Sequence, residues 1–105
     1  MIISFSNKKI EKICNNDKEA LKELGNPKIV KNLGMLMYNL QVVKHMEDFY
    51  TKPMFKKYNA HELTGDKKGI TSLRLDYSYR MTVIVEVKIM EDEIIIMEVN
   101  KHYDE

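Results

Sequence analysis

The chain has one cysteine, no tryptophan, two prolines and four glycines in 105 residues. A lone Cys14 excludes an internal disulfide and a cysteine-based zinc site. The longest strongly apolar run, residues 94–97, is far too short to span a bilayer. The opening Met1-Ile2-Ile3-Ser4-Phe5 leads into a polar, lysine-rich stretch, which is not the layout of a signal peptide. A cytoplasmic address is therefore expected. No internal repeat or low-complexity segment is present. Nor is there a large excess of charge, the net being +1.

What is present fits one small globular domain over residues 1–105, with 44% hydrophobic and 31% charged residues. Such a chain buries a real core, though not a large one. The near-neutral total hides an asymmetry. Residues 52–80 hold seven basic against three acidic residues, a net of +4. Residues 81–105 hold two basic against seven acidic, a net of −5. A locally basic middle attracts nucleic acid even when the whole is neutral. A solvated loop gives the same count.

Periodicity divides the chain into a helical first half and a stranded second half. Residues 2–5 read as a short strand. Asn7 caps a helix carrying Ile10, Ile13 and Cys14. Asp17 restarts a second helix with Ala20, Leu21 and Leu24, which Gly25 closes. Asn26-Pro27 begins a third, expected to run to about residue 43, with Ile29, Leu33, Leu36, Met37 and Leu40 as its core stripe. Residues 44–60 read as one or two helical turns interrupted by Pro53. Their rings among lysines suit RNA contact, but sealing the edge of the core is the preferred reading. Strands follow from His61. Residues 79–89 alternate, with Met81, Val83, Val85, Val87 and Ile89 on one face. Ile95, Met97 and Val99 are expected to match them on the last strand.

The hairpins gather cations. Odd positions are expected to face the core, so Arg74, Arg80 and His102 share the other face. Counting around the turns sets position 74 opposite 80, and 80 opposite 102–103. Two guanidinium groups and an imidazole suit a phosphate, and opposed arginines call for an anion or carboxylate between them. A surface salt bridge from Arg74 to Asp76 or Glu98 is the plain structural alternative. Ile84, Ile94 and Ile96 are also even, so that face is expected to be partly apolar and covered. The acids at Glu91-Asp92-Glu93 fall in a turn, where they keep a hairpin soluble rather than hold a metal. No metal and no cofactor is expected.

The stretch His61-Glu62-Leu63-Thr64-Gly65-Asp66-Lys67-Lys68-Gly69-Ile70-Thr71-Ser72-Leu73-Arg74-Leu75, followed by Tyr79-Arg80-Met81, resembles the "H-x-L-x-G-(D)-x-x-G-x-x-S-x-R-(V/L) … (W/Y)-R-(L/M)" core of the RelE/ParE superfamily of bacterial toxins. The HigB-like "killer protein" branch is the nearest in pattern. Val99-Asn100-Lys101-His102-Tyr103 is similar to its terminal "V-x-x-H" element. The pattern departs at Thr64, often lysine in that branch, and at Asn100-Lys101.

The resemblance implies an α+β fold, two to three N-terminal helices packed on a twisted antiparallel sheet, the RelE-like microbial ribonuclease fold. It implies a toxin that cleaves mRNA on the ribosome without a metal and is held off by a cognate antitoxin protein. Ribosome, mRNA and antitoxin are then the partners, with no membrane and no small-molecule cofactor. Arg80 matches the phosphate-binding arginine and Arg74 is a second. Lys67 and Lys68 fall where basic residues meet RNA. His61 and His102 match the acid–base positions, with Tyr103 available to stack on or orient a base. RNA cleavage through the 2′-hydroxyl needs a base, an acid for the leaving 5′-oxygen and positive charge on the phosphorane. Two alternatives keep the fold without catalysis: a ParE-like gyrase poison, and an inert protein-interaction domain.

Overall fold

The computed structural model of the chain describes residues 1–67 and 69–101. Strand β1 (Ile2–Phe5) leads into helices α1 (Lys8–Asn15), α2 (Asp17–Leu24) and α3 (Pro27–Leu40). A short helix α4 (Asp48–Thr51) and a 3₁₀ helix (Pro53–Tyr58) connect to strands β2 (His61–Glu62), β3 (Thr71–Arg74), β4 (Tyr79–Glu86) and β5 (Glu93–Lys101). The architecture is α+β, as the sequence implied.

Three asparagines start the three long helices. The Asn7 carboxamide oxygen accepts from the Ile10 amide at 2.9 Å, that of Asn16 from Lys18 and Glu19, and that of Asn26 from Lys28. Each cap is worth about 1 kcal/mol. Asn16 separates α1 from α2 by a single residue, and Gly25 ends α2 in the left-handed region at φ 69°. Pro27 occupies the first turn of α3, where its missing N–H costs nothing. This helix stops at Leu40, short of the expected residue 43, although Val43 still packs into the core.

The sheet order is β1-β5-β4-β3-β2. Four strands are antiparallel and β1 joins β5 in parallel, so the sheet is mixed. Ile29, Leu33, Leu36 and Leu40 of α3 share one buried cluster with Leu73, Met81, Val83, Ile94 and Ile96 of the sheet. Phe49, Phe55 and Tyr58 seal its edge. Phe49 and Phe55 meet edge-on at 5.3 Å between centroids.

The register differs from the expected one in two places. The ladder pairs Thr82 with Glu98 but Val83 with Ile96, leaving Met97 as an extra residue in a bulge. A bulge reverses the facing of everything beyond it. Ile94 and Ile96 are therefore core residues at 0% exposure, while Ile95 and Met97 are only half-buried on the other side. Val99, past the bulge, returns to the core. The outer face is correspondingly less apolar than expected, its aliphatic pair being Ile84 and Ile95. The second difference is at the β4 end. Pairing stops at Glu86 with Glu93, and the Lys88 amide turns to the Asp92 carboxylate. Val87 and Ile89, expected in the core, are 85% and 101% exposed.

Candidate functional site

The β3–β4 turn builds the site. Asp76 Oδ1 accepts from the amides of Ser78 at 2.7 Å and Tyr79 at 2.8 Å. This turn, closed by an aspartate side chain, engages one oxygen of the Asp76 carboxylate. The Leu75 and Asp76 amides both donate to the Tyr79 carbonyl, closing the hairpin. The closure sets Arg74 directly opposite Arg80, as the sequence predicted. From the helical layer, Asn32 Nδ2 donates to the Leu75 carbonyl at 2.9 Å, tying α3 to the base of this turn.

One step inward, Ser72 pairs with His61 across β2 and β3, so His61 lies on the same face as both arginines. Arg80 Nη1 lies 3.5 Å from Ser72 Oγ, and Ser72 is buried. His61 is exposed, with Nδ1 3.3 Å from the carbonyl oxygen of Asn59. That contact is the strand-start anchor of an ordinary structural histidine. It also orients the ring. Asn59 adopts φ 47°, a left-handed conformation that asparagine tolerates.

Arg74, Arg80 and His61 line one small cavity of about 40 Å³, together with Ser72, Asn59 and the β3–β4 turn. A volume near that of one water molecule excludes an engulfed nucleotide. It fits an anionic group resting on the rim. Arg74 also lines a neighbouring groove of about 210 Å³ with Lys57 and Tyr58. The basic surface thus extends beyond the pocket, and Lys57 Nζ sits 5.2 Å over the Tyr58 ring.

The other expected positions divide. Lys67 ends the short 3₁₀ turn Gly65–Lys67. Lys68, His102 and Tyr103 lie outside the described residues. The counting that set His102 beside Arg80 is corrected: Arg80 pairs with Asn100. The count centred the hairpin too late: Glu86 already pairs with Glu93, which moves the partner of Arg80 back by three residues, and the bulge at Met97 returns one. Asn100 Nδ2 in turn donates to Glu98 at 2.6 Å, so Glu98 is engaged there. Among the described residues Arg74 has no ion pair to Asp76 or Glu98.

Tyr77, in the β3–β4 turn, was not singled out from the sequence. It is 93% exposed and lines the same pocket as both arginines. An aromatic residue at the tip of a hairpin flanked by Arg74 and Arg80 was the available signal.

No family model matches the chain, and no curated protein matches it in sequence. Solved structures do match in shape. A YoeB/ParE toxin from Agrobacterium tumefaciens superposes with a TM-score of 0.64 at 16% identity, over 98% of this chain and 100% of that one. The chain has the fold of the YoeB/ParE toxins. YafQ from E. coli strain BL21(DE3) shares it with a TM-score of 0.62 at 15% identity, over 94% of this chain and 90% of its own. The YoeB-YefM complex from Staphylococcus aureus gives 0.58 at 18% identity, over 98% of both chains. At these identities the likeness is one of fold, and the YoeB/ParE fold extends over nearly all of this chain.

Proposed function

We propose that the chain, as a single domain over residues 1–105, is the toxin of a type II toxin–antitoxin pair of the RelE/ParE superfamily, HigB-like in motif. It acts in the cytoplasm as a ribosome-dependent, metal-independent mRNA endoribonuclease, and a cognate antitoxin protein neutralises it. The observation that carries the reading is the Arg74–Arg80 pair opposed across a turn, with His61 on the same sheet face. The toxin fold of the solved neighbours supports the class.

In this reading Arg80 and Arg74 bind the scissile phosphate and stabilise charge on the phosphorane. The 2′-hydroxyl attacks the adjacent phosphorus, the bond to the 5′-oxygen breaks, and that oxygen takes a proton. His61 and His102 share the base and acid roles. Lys67 and Lys68 hold the RNA backbone, and Tyr103 stacks on or orients a base.

The test is tightly controlled induction in a bacterial host with mRNA 5′-end mapping on the same cultures. Growth arrest with new cleavage sites inside translated frames is expected, and both should vanish in stably folded Arg80→Ala and His102→Ala variants. Full activity in both variants sinks the assignment. Arrest without cleavage points to a gyrase-type poison, and no arrest to a binding domain.

A further inference from the structure

Arg74 borders two cavities. One is the small pocket it shares with Arg80 and His61. The other is the groove of about 210 Å³, which reaches the helical layer through Asn32 and Met35 of α3 and takes its far wall from Lys57 and Tyr58 of the 3₁₀ helix. Two cations line this groove and, among the described residues, no acid does. The other cavities differ. Asp76 lines the pocket, Asp17 a groove along α3, and Glu23 and Glu98 a groove beside β5. Lys57 Nζ sits over the Tyr58 ring, and among the described residues neither it nor Arg74 pairs with a carboxylate. Cations gathered in a cavity without an acid favour an anion.

Charge is only part of the lining. Met35 is 42% exposed and borders the groove with Leu75 and Tyr58, so apolar surface adjoins the cations. A nucleotide brings both matching parts, a phosphate and a flat base. An acidic peptide answers the cations alone. The volume equals about seven waters at about 30 Å³ each, room for a base and too little for a duplex. A strand of regularly spaced phosphates also engages two adjoining cationic cavities at once, which one free phosphate cannot.

We propose that this groove seats the nucleotide adjoining the scissile phosphate, so that the RNA turns round the end of β3 at Arg74. The inference rests on the reading of the pocket as the place of RNA cleavage. Lys57 holds the phosphate of the seated nucleotide, and the base lies against Met35. Arg74 serves both cavities, its five N–H donors being enough for an oxygen in each.

The test is fluorescence anisotropy of the full chain with a labelled single-stranded RNA of about six nucleotides, at low salt, where phosphate contacts are strongest. Its 2′-hydroxyls are methylated so that it cannot be cut. Lys57→Ala should weaken binding roughly fivefold or more. It should also lower the slope of log affinity against log salt by about 0.7, the share of one phosphate contact. Lys18→Ala, which removes an exposed cation bordering neither cavity, should change neither quantity. Met35→Ala should weaken the RNA yet leave an abasic ribose-phosphate chain of equal length bound as before. A parent chain that does not bind the RNA overturns the proposal, as does binding that Lys57→Ala leaves intact. Equal losses in Lys57→Ala and Lys18→Ala overturn it by reducing the effect to net charge, and a Met35→Ala loss that the abasic chain shares overturns the seat for a base. RNA affinity kept in Lys57→Ala, with neutralisation by the antitoxin lost, overturns it in favour of an acidic protein segment. Failure of the cleavage reading shows separately, as induction without new cuts in translated frames. Cuts that persist while RNA binding ignores Lys57 remove the groove alone.

Discussion

Arg74 on β3 and Arg80 on β4 are direct cross-strand partners, and one oxygen of Asp76 in the turn between them accepts two backbone amides. Two guanidinium groups side by side suit the oxygens of a phosphate. Phosphate should therefore raise the melting temperature more than sodium chloride of equal ionic strength. At a hundredfold excess over its dissociation constant a bound anion adds about 2.7 kcal/mol. Arg74→Gln should remove that gain, and without anion should leave stability unchanged or slightly higher. An identical response to phosphate and chloride in the parent chain would contradict an anion site here.

Tyr77 gives the pocket a face for a base. At 93% exposure it supports no core packing, so Tyr77→Ala should alter stability by less than about 0.5 kcal/mol. If a base stacks on it, binding of a short single-stranded RNA should weaken by about 1–3 kcal/mol. Fluorescence anisotropy at fixed salt measures this. Unchanged affinity would confine recognition to the phosphate.

The bulge at Met97 makes adjacent residues unequal. Ile96 is fully buried, so Ile96→Ala should cost about 2–5 kcal/mol in urea unfolding. Met97, half-buried on the opposite side, should cost about 1 kcal/mol or less when changed to alanine. The unbroken alternation of residues 94–99 gives the reverse order, so this pair of variants discriminates the two registers.

The same bulge marks where the sequence stopped being informative. Asn7, Asn26, Pro27 and Gly25 announce the helices, because caps act locally and their chemistry is visible in the residues themselves. The Arg74–Arg80 pairing was legible for a similar reason: a short turn leaves one closure. Residues 94–97 are all apolar, and three isoleucines with a methionine carry no mark of which one is extra. Tertiary packing alone chooses Met97 as the bulge. Val87 and Ile89 mislead for a related reason. They continue the alternation of β4, yet the partner strand has already ended. The expected opposition of Arg80 and His102 inherited the second error, a turn set too late, while the bulge shifts the partner one residue the other way, to Asn100.

Cys14 should be chemically quiet. Burial pushes its thiol up to about 12, which leaves very little thiolate at neutral pH. The thiolate is the reactive form, so alkylation by iodoacetamide at pH 8 should be far slower in the folded chain than in urea. Mass spectrometry on a time course reads this. Equal rates in the two states would mean that the α1 face around Cys14 opens readily.

Asp48 ties down the segment that follows α3. Its carboxylate accepts from the Lys44 amide at 2.8 Å and the His45 amide at 3.3 Å. The Lys44 bond first, then that of His45 and the charge of Lys52, hold its pKa below the ordinary 3.8. A pKa lowered by folding stabilises the folded state above the unfolded value, and that contribution is lost as pH falls through the folded one. Asp48→Ala should therefore melt below the parent chain at neutral pH, with the gap closing as pH drops below about 4, the ordinary aspartate range. Glu93 is lowered likewise, by its bond to Lys88 and then that from Ser4, so its contribution is also lost as pH falls. The quantity to follow is accordingly the difference between the two chains at each pH, not either curve alone. A gap that stays constant down to pH 2 would assign the effect of Asp48 to packing instead of to its charge.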